Sequence, residues 1–189
     1  MDYELIADYT DEILQRKDPY NHHGSKVAEF CEKMLSLMDT HLSEHELTML
    51  KYGARLHDVG KIFIEDGTLN AHGLLTNHQL AVVRTHTTQG FHLSLAMGFD
   101  PIICKIIRSH HENMDGSGYP DGLAGDAIPL FARMVRVADT FDAMTSVRAY
   151  RKAASETDAL MLLEAEAERL FDPFVVQLLK KVLSSKDIA

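Results

Sequence analysis

Apolar residues recur three and four positions apart along most of this 189-residue chain, the spacing that lines one face of an α-helix. The opening YELIADYTDEILQR is amphipathic and runs into a break at KDPYNHHG. A second helix is predicted from about Ser25 to Met38, with Val27, Phe30, Cys31, Met34 and Leu37 on one face. SEHE (Ser43 to Glu46) and TNHQ (Thr76 to Gln79) have the capping-box pattern. In that pattern a Ser or Thr side chain and a Glu or Gln three residues later accept from each other's backbone N–H. The first box opens ELTMLKYGARLHD, which Gly60 ends, and the second opens a helix carrying Val82, Val83 and His86. Pro101 opens PIICKIIRSHH, Pro129 a long helix through Met144, and Ser155 the next, with a short final helix after Asp172-Pro173. No stretch alternates as a strand would, and no internal repeat or linker interrupts the chain. The glycine-rich stretches Glu65 to Thr76 and Asp115 to Ile128 read as ordered loops between helices. The pattern predicts an all-α fold, a single helical bundle over residues 1–189.

Composition narrows the class. Hydrophobic residues make up 46% and charged residues 25%, as in ordinary globular proteins. No apolar run is long enough for a membrane span, and the acidic opening MDYELIADYTDEILQRKD is unlike a signal peptide. Cys31 and Cys104 are too few for a disulfide framework or thiolate zinc site, so two free thiols in a reducing cytoplasm are expected. A net charge of -9 argues against duplex nucleic acid as a partner, although a metal-lined pocket can still attract a small phosphate.

Eleven histidines stand against 19 Lys plus Arg. His41, His45, His72 and His92 lie in polar or turn-like contexts and read as incidental. The others do not. His110 falls four residues after Ile106 and seven after Ile103, so it shares a buried stripe. His86 is four after Val82, His23 four before Val27, and Asp139 four after Val135. His57 and Asp58 close the helix bearing Leu47, Leu50 and Ala54. One such residue would ordinarily be a hydrogen-bonded core histidine. Five helices each directing an imidazole or carboxylate inward need a shared cation, because isolated buried charges are costly. Imidazole and carboxylate without thiolate suit iron, manganese, zinc, cobalt or nickel. His110-His111 at a helix end can aim two rings the same way, and the glycines of HHENMDGSGYPDGL then turn the backbone sharply.

RLHDVGK (Arg55 to Lys61) and HHENMDGSGYPDGL (His110 to Leu123) resemble the LLHDxGK and HHExxDGxGYPxGL signatures of the HD-GYP phosphodiesterases, a branch of the HD metal phosphohydrolases. The resemblance continues through LTNHQLAVVRTHTTQG and AIPLFARMVRVADTFDAMTSVRAYR into FDPFVV, covering about residues 19–179. It implies one metal held by His23, His57, Asp58 and Asp139, and a second bridged by Asp58 and bound by His86, His110 and His111. Two divalent transition ions are expected, iron or manganese first, with zinc, cobalt or nickel as alternatives. Asp58 and Lys61 are the implied catalytic residues. Lys61 and Arg148 would bind the substrate phosphate, with Arg151 a weaker candidate. The implied reaction is hydrolysis of cyclic di-GMP to linear pGpG, sometimes onward to GMP, in bacterial second-messenger signalling. The glycine-rich loop is associated in the family with shaping the pocket and with protein partners. Tyr119 reads as a packing anchor there.

Two departures bear on the ligands. DPYNHHGSKV is one residue shorter between tyrosine and valine than the family's DPYTxxHSxRV. His23 keeps the distance to Val27, and His22 stays open as the ligand instead. Pro19 stands where three-metal members carry a glutamate, which points to two ions and to pGpG as main product. Alternatives are a phosphohydrolase for another cyclic dinucleotide, or a non-catalytic receptor or interaction module. The chain is either free-standing or an output domain regulated from elsewhere.

Overall fold

The computed structural model describes residues 1–17, 23–39, 41–71, 73–146 and 153–186. Helix α1 (Tyr3–Lys17) leads to α2 (His23–Ser36) and α3 (Glu44–Leu56), followed by a 3-10 turn (Val59–Phe63) and the one-turn α4 (Asp66–Leu69). Then come α5 (Asn77–Arg84), α6 (His86–Ala96), α7 (Pro101–Ser109), α8 (Leu130–Thr145), α9 (Glu156–Ala165) and α10 (Pro173–Lys186). Among the described residues β-structure is confined to two isolated bridges, Asp115 with Ala124 and Ala167 with Phe171. The all-α expectation holds. Both capping boxes form, Ser43 with Glu46 and Thr76 with Gln79.

Two hydrophobic clusters hold the bundle. Val27, Cys31, Met34, Leu50, Ala54, Val135, Phe141, Leu163 and Leu179 join α2, α3, α8, α9 and α10. Ala7, Met49, Leu56, Ile103 and Ile107 join α1, α3 and α7. Arg55 fastens α1 further, its guanidinium donating to Glu4 (2.6 Å), Asp8 (2.7 Å) and Asp11 (2.7 Å). Both cysteines are buried and free, as expected. No helix among the described residues is long and apolar enough to cross a membrane.

Four local expectations change. Leu37 is 44% exposed, because α2 ends at Ser36 and the helical phase that would bury it is lost. Leu47 is 40% exposed, in the first turn of α3 beyond the core. The final helix is not short: Val175, Val176, Leu179, Val182 and Leu183 continue its buried stripe, and it runs 14 residues. The helix opened by Thr76 is two helices, α5 and α6, meeting at Thr85. The hydroxyls of Thr85, Thr87 and Thr88 donate to the carbonyls of Val82, Arg84 and Thr85, competing with the helical ladder and bending the chain. That bend makes His86 the first residue of a helix.

Gly60 lets α6 approach the 3-10 turn backbone to backbone. A Cβ there would lie 1.9 Å from the His86 carbonyl oxygen and 2.6 Å from the Gly90 nitrogen.

Candidate metal centre

Helix ends build the centre. His23 begins α2, His57 and Asp58 follow α3, His86 begins α6, and His110 and His111 follow α7; only Asp139 sits within a helix, α8. Three of these imidazoles are fixed by the same device. Nδ1 of His57 lies 2.7 Å from the Ala54 carbonyl, that of His86 2.7 Å from Val83, and that of His110 2.9 Å from Ile107. A carbonyl only accepts, so Nδ1 carries the proton in each ring and Nε2 is left as a lone pair.

Those lone pairs converge. His86 Nε2 is 3.3 Å from His110 Nε2 and 3.3 Å from Asp58 Oδ1. His110 Nε2 is 3.8 Å from the same oxygen, and His57 Nε2 is 3.5 Å from Asp58 Oδ2. Neutral imidazoles in these tautomers cannot donate to one another, and the carboxylate can only accept. His57 Nε2 and Asp58 Oδ1 are buried with no hydrogen-bond partner among the described residues. Inward acceptors left without a donor, Asp58 Oδ1 and His57 Nε2 among them, fit a cation.

The ligand atoms fall into two groups, each mutually within 4.8 Å: Asp58, His86, His110 and His111, and His23, His57 and Asp139. His23 links the second group to a further carboxylate. Its Nε2 lies 2.5 Å from Asp139 Oδ1 and its Nδ1 2.7 Å from Asp142 Oδ2. Every metal-ligand candidate among the described residues therefore arrives in one of these groups. His45, read as incidental, pairs with Asp100 (3.0 Å) instead. His72, Asp18, Pro19, His22, Arg148 and Arg151 lie outside the described residues.

Electrostatics keep the groups in their ligating forms. Burial alone would raise the Asp58 pKa, but Lys61, His57, His86 and His110 draw it well below the usual carboxylate range. Asp139 follows the same pattern, with His23 as the main opposing charge. Burial lowers His86 and His110, and pushes His111 down to about 3. Carboxylates stay charged and these imidazoles neutral, as metal binding requires. His23 is the exception. Its bonds to Asp139 and Asp142 outweigh burial and raise it to about 9, so a metal there must displace a proton.

A cavity of about 370 Å³ opens onto the centre, lined by His23, Asp58, Lys61, His111 and Asp139 on one wall and by Arg136, Thr140, Ala143, Met144 and Ser146 along α8. Lys61 Nζ donates to Asp58 Oδ2 and faces this cavity.

The glycine-rich loop closes over the other side. The Tyr119 ring stacks on His111, centroids 4.9 Å apart, and Arg84 lies 5.1 Å above that ring. Tyr119 is thus a packing anchor, but one that packs on a ligand candidate. Glu112, 2% exposed, accepts from the backbone N–H of Asp121 (2.7 Å) and Leu123 (3.1 Å), holding the far limb of the loop. Gly118 crosses Glu112 so closely that a Cβ would lie 2.4 Å from its Cα.

Sequence reasoning missed Asp142, Glu112 and Arg136. Asp142 had a signal, since a second carboxylate three residues after Asp139 falls on the same helix face. Glu112 and Arg136 had none beyond their motifs.

The HD domain family profile matches residues 6–175, so the chain belongs to the HD domain family. Among curated relatives, the cyclic di-GMP phosphodiesterase response regulator RpfG of Xanthomonas campestris is 46% identical over 173 residues, 88% of this chain and 45% of its own length. A cyclic di-GMP phosphodiesterase of Thermotoga maritima is 39% identical over 193 residues, 95% of this chain and 52% of its own length. The chain thus spans about half the length of these relatives. A solved structure of a cyclic GMP-AMP specific phosphodiesterase of Vibrio cholerae superposes with a TM-score of 0.74 at 20% identity, over 98% of this chain and 49% of that one. That likeness establishes the fold.

Proposed function

We propose that this domain is a metal-dependent phosphodiesterase that hydrolyses cyclic di-GMP to linear pGpG in second-messenger signalling. The observation that carries the reading is one buried carboxylate, Asp58, whose Oδ1 faces His86 and His110 and whose Oδ2 faces His57, in the lining of a cavity that Lys61 also lines. The names of relatives sharing 39% and 46% identity supply the substrate class.

We assign one ion, iron or manganese, to His23, His57, Asp58 and Asp139, and a second to Asp58, His86, His110 and His111. When bound, such ions would lower the pKa of a water and neutralise a phosphate oxygen. The chain's own residues do the remaining work. The carbonyls of Ala54, Val83 and Ile107 hold three imidazoles in the ligating tautomer and orientation. Lys61 supplies positive charge beside Asp58, where phosphate charge grows in the transition state. Arg148 and Arg151 are proposed to add to that charge. Buried helix ends and the Tyr119 stack exclude bulk water from the imidazoles, which strengthens each of these interactions. The glycine-rich loop is proposed to receive a protein partner on its outer face. Two buried free thiols are in keeping with a cytoplasmic setting.

Metal content with activity tests the assignment. Anaerobically purified protein should hold two transition-metal ions per chain, and Asp58→Ala should lose both or leave them weakly bound. Lys61→Ala should retain them while turnover of cyclic di-GMP falls at least ~100-fold, the scale of losing one transition-state charge contact. Full occupancy and activity in Asp58→Ala would contradict the bridge. Metal loss in Lys61→Ala would contradict the phosphate role.

A further inference from the structure

We propose that Arg136 is a second anion-binding group of the cavity, holding the phosphate of the cyclic dinucleotide that is not being cut. This rests on the phosphodiesterase reading above and deepens it. Arg136 lies on α8 one turn before Asp139 and lines the same cavity.

Among the described residues its hydrogen bonds go only to neutral groups. Nη2 donates to Asn113 Oδ1 (3.1 Å) and Nη1 to Thr140 Oγ1 (3.3 Å), while Nε is buried with no partner. The Thr140 hydroxyl already gives its own proton to the Arg136 carbonyl (2.9 Å), so toward the guanidinium it can only accept. Phe171 covers one face of the group at 5.3 Å. Among the described residues no carboxylate lies within ion-pairing distance of Arg136. By contrast, Arg55, Arg108, Arg133 and Arg169 each reach at least one. A guanidinium that merely packed would lie against a carboxylate or snorkel to solvent. This one is held by neutral partners at the rim of a site for an anion, and burial keeps its pKa below the usual arginine value.

Its position selects which anion. Lys61, in the 3-10 turn, sits on Asp58, whereas Arg136, on α8, is tied to Asn113 of the glycine-rich loop. The two cations thus reach the same cavity from different elements. A substrate with one phosphodiester needs only the Lys61 flank. A cyclic dinucleotide carries two phosphates in one ring, and the planar guanidinium suits bidentate capture of the second.

Steady-state kinetics of metal-loaded wild type, Arg136→Gln and Arg136→Lys test this with two substrates, cyclic di-GMP and the single diester bis(p-nitrophenyl) phosphate. The ratio of kcat/KM for cyclic di-GMP over the small diester should fall roughly 10–100-fold in Arg136→Gln, the worth of one charged hydrogen-bonded contact. Arg136→Lys should recover part of it, and metal content should match wild type in both. An unchanged ratio overturns the proposal, whether both substrates suffer alike through a disturbed loop or neither suffers. If the wild type cleaves the small diester but neither binds nor cleaves cyclic di-GMP, the substrate reading fails and this inference with it. If the wild type turns over cyclic di-GMP and Arg136→Gln equals it, only the role of Arg136 fails.

Discussion

Two carboxylates meet one imidazole at His23: Asp139 at Nε2 (2.5 Å) and Asp142 at Nδ1 (2.7 Å). With His23 and Asp139 as ligands of a metal, Asp142 would be the partner left to orient the ring. Replacing such an orienting partner ordinarily weakens metal binding 10–100-fold. Asp142→Ala should therefore weaken the His23 site by roughly that factor in a chelator competition, and Asp142→Asn should lose less, since its amide oxygen still accepts from Nδ1–H. Equal affinity in Asp142→Ala would leave the carboxylate without that role. At this scale the sequence was informative where chemistry and periodicity coincide. His23, His57, His86, His110 and Asp139 sit at positions set by apolar neighbours three or four residues away, so their inward direction was readable. Arg136 was not, because an arginine on a helix reads as solvated until the neutral partners around it are known.

Helix ends, rather than helix interiors, carry the centre, and two elements keep them in place. The 3-10 turn holding Lys61 touches α6 through Gly60. Gly60→Ala must push His86 away, and overpacking of this kind costs ~3 kcal/mol. A chemical denaturation midpoint lowered accordingly, together with weaker metal binding, is the expected outcome. An unfolding free energy within ~0.5 kcal/mol of wild type would mean that the contact relaxes easily. The glycine-rich loop depends on Glu112. Glu112→Ala leaves the half-buried N–H groups of Asp121 and Leu123 without this acceptor, a loss of ~1–2 kcal/mol that should also speed proteolysis between residues 113 and 124. Unchanged cleavage would show that the loop holds itself. Capping boxes and proline starts were legible because they are local. The division at Thr85 was not, since Val82, Val83 and His86 fit one continuous stripe, and only threonine back-bonding and the approach of α6 to Gly60 separate the helices.

Across the whole molecule, five segments from residue 23 to residue 139 bring their ligand candidates into two groups. A cation that binds the folded state alone stabilises it by mass action, about 4 kcal/mol when free metal is 1,000 times its Kd. Chelation should accordingly lower the Tm, and readdition of metal should restore it. A Tm indifferent to chelator would mean that the fold carries its inward acceptors unaided. The central claim is tested most directly by incubating metal-loaded protein with cyclic di-GMP and separating the products, beside an Asp58→Asn control. The account predicts pGpG from the wild type and none from the variant. Intact cyclic di-GMP after incubation with wild type holding both ions would contradict it.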